Sequence, residues 1–299
     1  MPDRTLMILG AAGQLGAALA DAARETWAVR PFTRADLDIA DATAVRAAIA
    51  ATRPDAVVNA AAYNHVEACE SDPAPAFAIN CTAVAALGLA CRDIGCHLVH
   101  FSTDYVFDGL SDRPYREDDP AHPINLYGLS KLAGEWALQL TGARACILRT
   151  CGLYGHHRSP SAKKNFVDQI IDQARAAAPL RVRADLTCTP TSAADLARAT
   201  LQILDRGLTG TFHATNAGHC TWHEFATEIL RLIGLPRDIE PLHPERATGK
   251  ARRPKLSALD TSKLLRDTVA LPPWKQALSA YLRVHQRMTN NRERPLCPP

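Results

Sequence analysis

Tyr127 and Lys131 bound the segment Tyr127-Gly128-Leu129-Ser130-Lys131. Residues four apart meet on one face of a helix. A tyrosine with its ordinary pKa of about 10 is a poor acid or base at neutral pH. A lysine ammonium within about 4–6 Å favours the phenolate and lowers that pKa. Upstream, the apolar run of residues 97–101 ends in Ser102-Thr103-Asp104, and the Thr103 hydroxyl can serve the oxygen that receives the proton. Alone, Tyr-x-x-x-Lys is a frequent pattern that reads equally as a surface contact. Ser-Thr-Asp by itself ordinarily caps a turn. Their order behind a glycine-rich turn makes the set specific.

That turn is Gly10-Ala11-Ala12-Gly13-Gln14-Leu15-Gly16. Placed between a strand and a helix, such glycines allow a tight turn and let a pyrophosphate approach the free N–H groups of the helix N-terminus. Mere close packing is the competing reading of three glycines. After the second strand an acid would hold a ribose 2′-hydroxyl, whereas an arginine accommodates a 2′-phosphate. Here Thr33-Arg34 comes first and Asp36 and Asp38 follow. Arg34 therefore favours NADP(H), with a solvated surface arginine as the alternative. The small residues of Val57-Val58-Asn59-Ala60-Ala61-Ala62-Tyr63 would let a cofactor lie flat against the backbone.

Positioning these groups takes a repeated strand–helix pattern, and the chain supplies one. Near-continuous apolar strands at 5–9, 28–32, 97–103 and 145–150, with another opening the strand-and-loop segment 55–62, alternate with Ala-rich helical stretches at 41–53, 73–95 and 125–140 and with a turn and helix over 11–25. This predicts an α/β fold: a Rossmann-type, doubly wound parallel sheet with a smaller C-terminal substrate-binding lobe. Residues 1–150 read as the nucleotide-binding domain, its sheet completed by a strand near 209–216. Residues 151–285 read as the interleaved lobe, with a helix over 222–234. Residues 286–299 lack periodicity and are expected to be a loose tail.

The 299 residues are 47 % hydrophobic and 22 % charged, with a formal net charge of +3, which excludes a broad basic field for nucleic acid. The local run Lys250-Ala251-Arg252-Arg253-Pro254-Lys255 is either a solvated loop or a phosphate contact on a substrate. Nine cysteines without Cys-x-x-Cys spacing suit free thiols in a reducing cytoplasm. His156-His157 has no evident third ligand, so no metal is expected there. The N-terminal apolar run imitates a signal peptide, but its glycines fit a strand, turn and helix better. Nothing else approaches the length of a membrane span, and a soluble protein is expected.

Together these residues resemble the dTDP-4-dehydrorhamnose reductase branch of the extended short-chain dehydrogenase/reductase superfamily. The resemblance rests on GAAGQLG, LDIAD, RPDAVVNAAAY, STDYVFDG, PYREDDPAHPINLYGLSKLAGE, LRTCGLYG, KNFV and PTSAADLA, between residue 6 and about residue 200. It implies NADPH-dependent reduction of the C4 ketone of a nucleotide-linked 4-keto-6-deoxysugar, with NADH as an alternative donor. Tyr127 would be the proton donor, and Lys131 its partner, gripping the nicotinamide ribose. Thr103 would stand at the usual hydroxyl position, and Asp104 would contact the sugar. Gly13, Gln14 and Leu15, within the turn bounded by Gly10 and Gly16, would hold the pyrophosphate. Asp38 and Ile39 would line the adenosine, and Ala61, Ala62 and Tyr63 would flank the cofactor. Asn165-Phe166-Val167 fits a loop closing over the nucleotide-sugar. Some members use magnesium at a dimer interface. The resemblance thus allows a homodimer and Mg2+, although no magnesium ligand can be placed from this sequence.

One departure concerns the substrate. The family commonly has a tryptophan before LYG, where this chain has Thr150-Cys151-Gly152, so the aromatic platform expected at Gly152 is missing. A dehydratase on the same fold would follow the threonine with Asp-Glu, whereas Thr103 is followed by Asp104-Tyr105. An epimerase remains as an alternative. A non-catalytic regulatory subunit, like that of methionine adenosyltransferase, is the other, and the intact Thr103, Tyr127 and Lys131 argue against it.

Overall fold

The apolar runs Thr5–Leu9 (β1), Ala28–Phe32 (β2), Ala56–Asn59 (β3), His97–Thr103 (β4), Ala145–Thr150 (β5) and Gly210–His213 (β6) lie side by side in one sheet. Its order is β6-β5-β4-β3-β1-β2, and every pair is parallel. The computed structural model describes residues 3–156, 164–176, 178–242, 251–268 and 270–292. β3 and β4 are buried throughout, as strands covered on both faces must be. β2 pairs only with β1, and this edge position accommodates Pro31, which cannot donate to a neighbour.

Alternation along β1 divides the core. Leu6 and Ile8 point to the face covered by Gln14–Ala23 (α1) and Ala193–Arg206, while Met7 and Leu9 point to the face covered by Ala42–Thr52 (α2). Asp41 caps α2 by accepting from the backbone N–H groups of Thr43 and Ala44. On that second face also lies the continuous helix Ala74–Ile94 (α3), interrupted by a π-turn at Ala78–Thr82. By length and composition α3 could cross a membrane, which the sequence reading overlooked. Its Val84, Leu87 and Cys91 instead pack into the core beneath the sheet. Gly95 ends it in the left-handed conformation.

Leu126–Leu140 (α4) crosses against the π-turn of α3. A Cβ at Gly134 would stand 1.9 Å from the Asn80 carbonyl oxygen, so only glycine permits this approach. Asn125 caps α4 by accepting from Gly128 N at 2.7 Å.

The smaller lobe has its own core of Tyr154, Val167, Ile170, Phe225, Ile229, Trp274 and Leu278. Tyr154 comes from the short strand Leu153–Tyr154 and the others from Phe166–Arg175 (α5), Trp222–Leu232 (α7) and Trp274–Arg292 (α8), with Ala193–Arg206 (α6) serving the sheet between them. α8 corrects the expected tail: the helix runs on to Arg292, past residue 286, because packing of Leu278, Tyr281 and Leu282 anchors its first half.

Candidate active site

The strand order reverses at β1, between β3 and β2, where open α/β sheets form their ligand crevice. A cleft of about 820 Å³ opens there. Gly10, Gly13, Gln14, Leu15, Arg34, Asp38, Ile39, Ala61, Ala62 and Tyr63 line one part of it, and Thr103, Asp104, Tyr127, Lys131 and Gly152 the other. Gly16 lies beneath the turn, where a Cβ would sit 2.3 Å from the Gly10 carbonyl oxygen.

The cleft suits a dinucleotide on two observations. Gly13 caps α1 without any side-chain hydrogen bond, which leaves the first-turn N–H groups directed at an anion. Gln14 Oε1, Ser102 Oγ and Thr150 Oγ1 are buried without a hydrogen-bond partner, and all three residues line the cleft. At the far end Arg34 is well exposed and lies 3.3 Å from the Asp38 carboxylate, so arginine and acid stand together there. Among the described residues no group of three or more His, Cys, Asp or Glu could hold a metal. The magnesium carried by resemblance is thus given no such group of ligands by the described residues of one chain. His156 stacks on Tyr281 at 4.6 Å, and His157 lies outside the described residues.

At the carboxyl end of β4, Thr103 Oγ1 donates to Asp104 Oδ1 at 3.0 Å. Cys151 Sγ donates to Asp104 Oδ2, also at 3.0 Å. Asp104 is 4 % exposed, and burial raises its pKa against these hydrogen bonds. Tyr127 packs edge-on to Tyr105 at 5.9 Å. Burial holds the Tyr127 phenol well above its ordinary pKa, with the Asp104 carboxylate adding to the rise and the Thr103 hydroxyl opposing it.

Lys131 departs from the expectation. It lies one turn beyond Tyr127, but its four-carbon stem carries the ammonium into the protein. Nζ donates to the Phe101 carbonyl oxygen at 2.5 Å and stands 3.5 Å from His100 Nε2. Burial brings the Lys131 pKa down to about 8, against the pull of Glu135.

Asn165 is also redirected. It caps α5, accepting from Asp168 N, and donates to the Gly155 carbonyl and the Tyr281 hydroxyl. With its polar atoms committed to backbone and lobe, it does not line the cleft. An asparagine just before an amphipathic run is itself an N-cap signal.

Two features were missed, and a third settles between the two readings of the basic run. Asn80, in the π-turn of α3, grips Tyr63 through its N–H and carbonyl at 2.9 Å each and donates to Ser130 Oγ at 3.0 Å. This fixes the loop after β3. Trp222 opens α7 beside Gly152, its Cη2 atom 3.5 Å from where a Cβ there would stand. It lines a smaller cavity of about 160 Å³ that continues past Thr103 and Tyr127. Arg253 lines that cavity too, paired with Glu67 at 2.6 Å, so one arginine of the basic run reaches the site while Arg252 and Lys255 stay exposed.

The family described as the RmlD substrate binding domain matches residues 4–287. The chain is 36 % identical over 278 residues to the spore coat polysaccharide biosynthesis protein SpsK of Bacillus subtilis, covering 93 % of this chain and 96 % of that protein. It is 39 % identical over 289 residues to a dTDP-4-dehydrorhamnose reductase of Streptomyces griseus, covering 93 % of each. The crystal structure of a dTDP-4-dehydrorhamnose reductase from Bacillus anthracis in complex with NADP superposes with a TM-score of 0.90 at 32 % identity, covering 95 % of this chain and all of that one.

Proposed function

The chain belongs to the RmlD substrate-binding family, and from that premise we propose that it is an NADPH-dependent reductase of dTDP-4-dehydro-L-rhamnose or a related nucleotide-linked 4-keto-6-deoxysugar. The observation that carries the reading is the Tyr127 phenol, kept protonated beside Thr103 in the cleft that opens on the uncapped turn of α1. When bound, the nicotinamide supplies a hydride to the C4 carbon of the sugar. The N-terminus of α1 holds the pyrophosphate, with Asp38 and Ile39 along the adenosine. Ala61, Ala62 and Tyr63 form a flat wall, held by Asn80. Thr103 orients the ketone oxygen, and Tyr127 gives it a proton as general acid. Asp104 contacts the sugar, and Arg253 suits the diphosphate. Loss of NADPH absorbance with dTDP-4-dehydro-L-rhamnose tests the whole reading, and no turnover on any 4-keto-6-deoxysugar nucleotide would sink it.

Arg34 is assigned to the 2′-phosphate. Arg34→Ala should raise KM for NADPH about 10-fold, as loss of one charged hydrogen bond does, and leave KM for NADH unchanged. Equal effects on both cofactors would make Arg34 a surface residue. Trp222 is assigned the stacking role that Gly152 cannot fill. Trp222→Ala should raise KM for the nucleotide-sugar about 2- to 10-fold with little change in kcat. An unchanged KM would remove the ring from the substrate.

A homodimer is supported by the exposed apolar stripe of Leu129, Trp136 and Leu140 on α4. A reducing cytoplasm suits the eight described cysteines, all free.

A further inference from the structure

Lys131, in the wall of the cleft, belongs to a buried row of side chains that continues through His100 to Asn59. The Ala61 N–H can only donate, so the Asn59 atom 3.1 Å from it is the carbonyl oxygen. The Asn59 amide nitrogen is then the atom 3.2 Å from His100 Nδ1. An NH2 group only donates, so Nδ1 carries the lone pair. Burial, with the Lys131 charge, keeps His100 neutral. In the neutral ring the proton therefore sits on Nε2, which faces Lys131 Nζ at 3.5 Å.

We propose that Asn59 fixes His100 as the Nε2–H tautomer, and that His100, a positioning residue, thereby presents a donor to Lys131 and eases the loss of the lysine's proton. The proposal rests on the reading of Tyr127 as the acid. An amine has two N–H bonds and one lone pair: it can donate to the Phe101 carbonyl and accept from His100 Nε2–H. An ammonium has no lone pair, so the Nε2–H goes unanswered. The surroundings thus match the lysine after it has lost its proton. Burial acts in the same direction, and Glu135 on α4 opposes it, with its carboxylate bound to Arg149 of β5. Tyr127, Asp104 and Cys151 are the other titratable groups on this side of the cleft among the described residues.

The protons balance. Hydride adds to the ketone carbon, and the ketone oxygen takes the Tyr127 proton, which leaves a phenolate. The Lys131 ammonium then gives up one proton towards the phenolate, for which the cofactor, when bound, would supply a bridging ribose hydroxyl, and the phenol is restored. The resulting amine lone pair accepts from His100 Nε2–H until solvent returns a proton.

Histidine 15N spectra of the protein alone give the first test: His100 should show a protonated Nε2 and a bare Nδ1, and the reverse tautomer would overturn the proposal. The relay needs protonated Lys131, so activity should fall as pH rises through the lysine pKa. His100→Leu removes the opposing N–H, and the basic limb of kcat should move alkaline by about one pH unit. A limb that stays in place, or moves acid, would also overturn it. Asn59→Asp gives a check that retains the histidine: its carboxylate accepts from Nδ1–H, so the ring should switch tautomer and the limb should again move alkaline. An unswitched ring counts against the proposal. A chain that shows the Nε2–H tautomer yet reduces no 4-keto sugar would remove the functional reading while leaving the Asn59–His100 pair in place.

Discussion

Tyr127→Phe should lower kcat for ketone reduction by about 10²- to 10⁴-fold, the usual worth of a positioned general acid. NADPH affinity should change little, because the ring keeps its place against Tyr105 and only the hydroxyl is lost. Steady-state rates together with a cofactor titration separate the two quantities, and a variant at full rate would exclude Tyr127 as the donor. The sign of the tyrosine's shift matters here. Burial and the Asp104 carboxylate raise the phenol pKa, so Tyr127 stays protonated throughout the working range. That is the state a reduction consumes, and the basic limb of the pH profile then belongs to Lys131, near about 8.

The largest loss of stability should follow from Glu135→Leu. Glu135 is 1 % exposed on α4, and its carboxylate receives Arg149 Nε at 3.0 Å and a terminal guanidinium nitrogen at 2.7 Å. Arg149 is itself 6 % exposed. Removing the carboxylate strands a buried cation, which costs about 3–5 kcal/mol. For a chain of this size the melting temperature should fall by on the order of 10 °C. The double variant Glu135→Leu/Arg149→Met should recover much of that loss, since two apolar residues need no pairing. If Glu135→Leu melts with the parent, the pair contributes nothing.

What the sequence disclosed follows from the range of the interactions involved. The turn from Gly10 to Gly16, the strand end at Thr103 and the Tyr127–Lys131 spacing are local patterns, each encoded within one element or junction. Asp41 is likewise a local signal, an acid just before a helical run, and it caps α2. What escaped notice depends on distant segments. Trp222 meets Gly152 only because α7 of the lobe docks beside the end of β5. The direction of the Lys131 ammonium depends on the Phe101 carbonyl and on His100, both in β4 and distant in sequence from α4. Asn165 misled because a functional pattern and a helix cap look alike in one dimension, and its buried partners Gly155 and Tyr281 decided between them.

The π-turn at Ala78–Thr82 gives α3 a fixed phase. Within it Asn80 holds the loop at Tyr63, and beyond it Leu87 and Cys91 fill the core under the sheet. One extra residue in a helix rotates everything beyond it by roughly 100°. Deleting a residue there would close the turn into ordinary helix, and one set of contacts would face the wrong way. The position behaves as a reading frame in three dimensions. Chain length can drift in the loops around this cleft, but a gain or loss at the π-turn would scramble either the cofactor wall or the core.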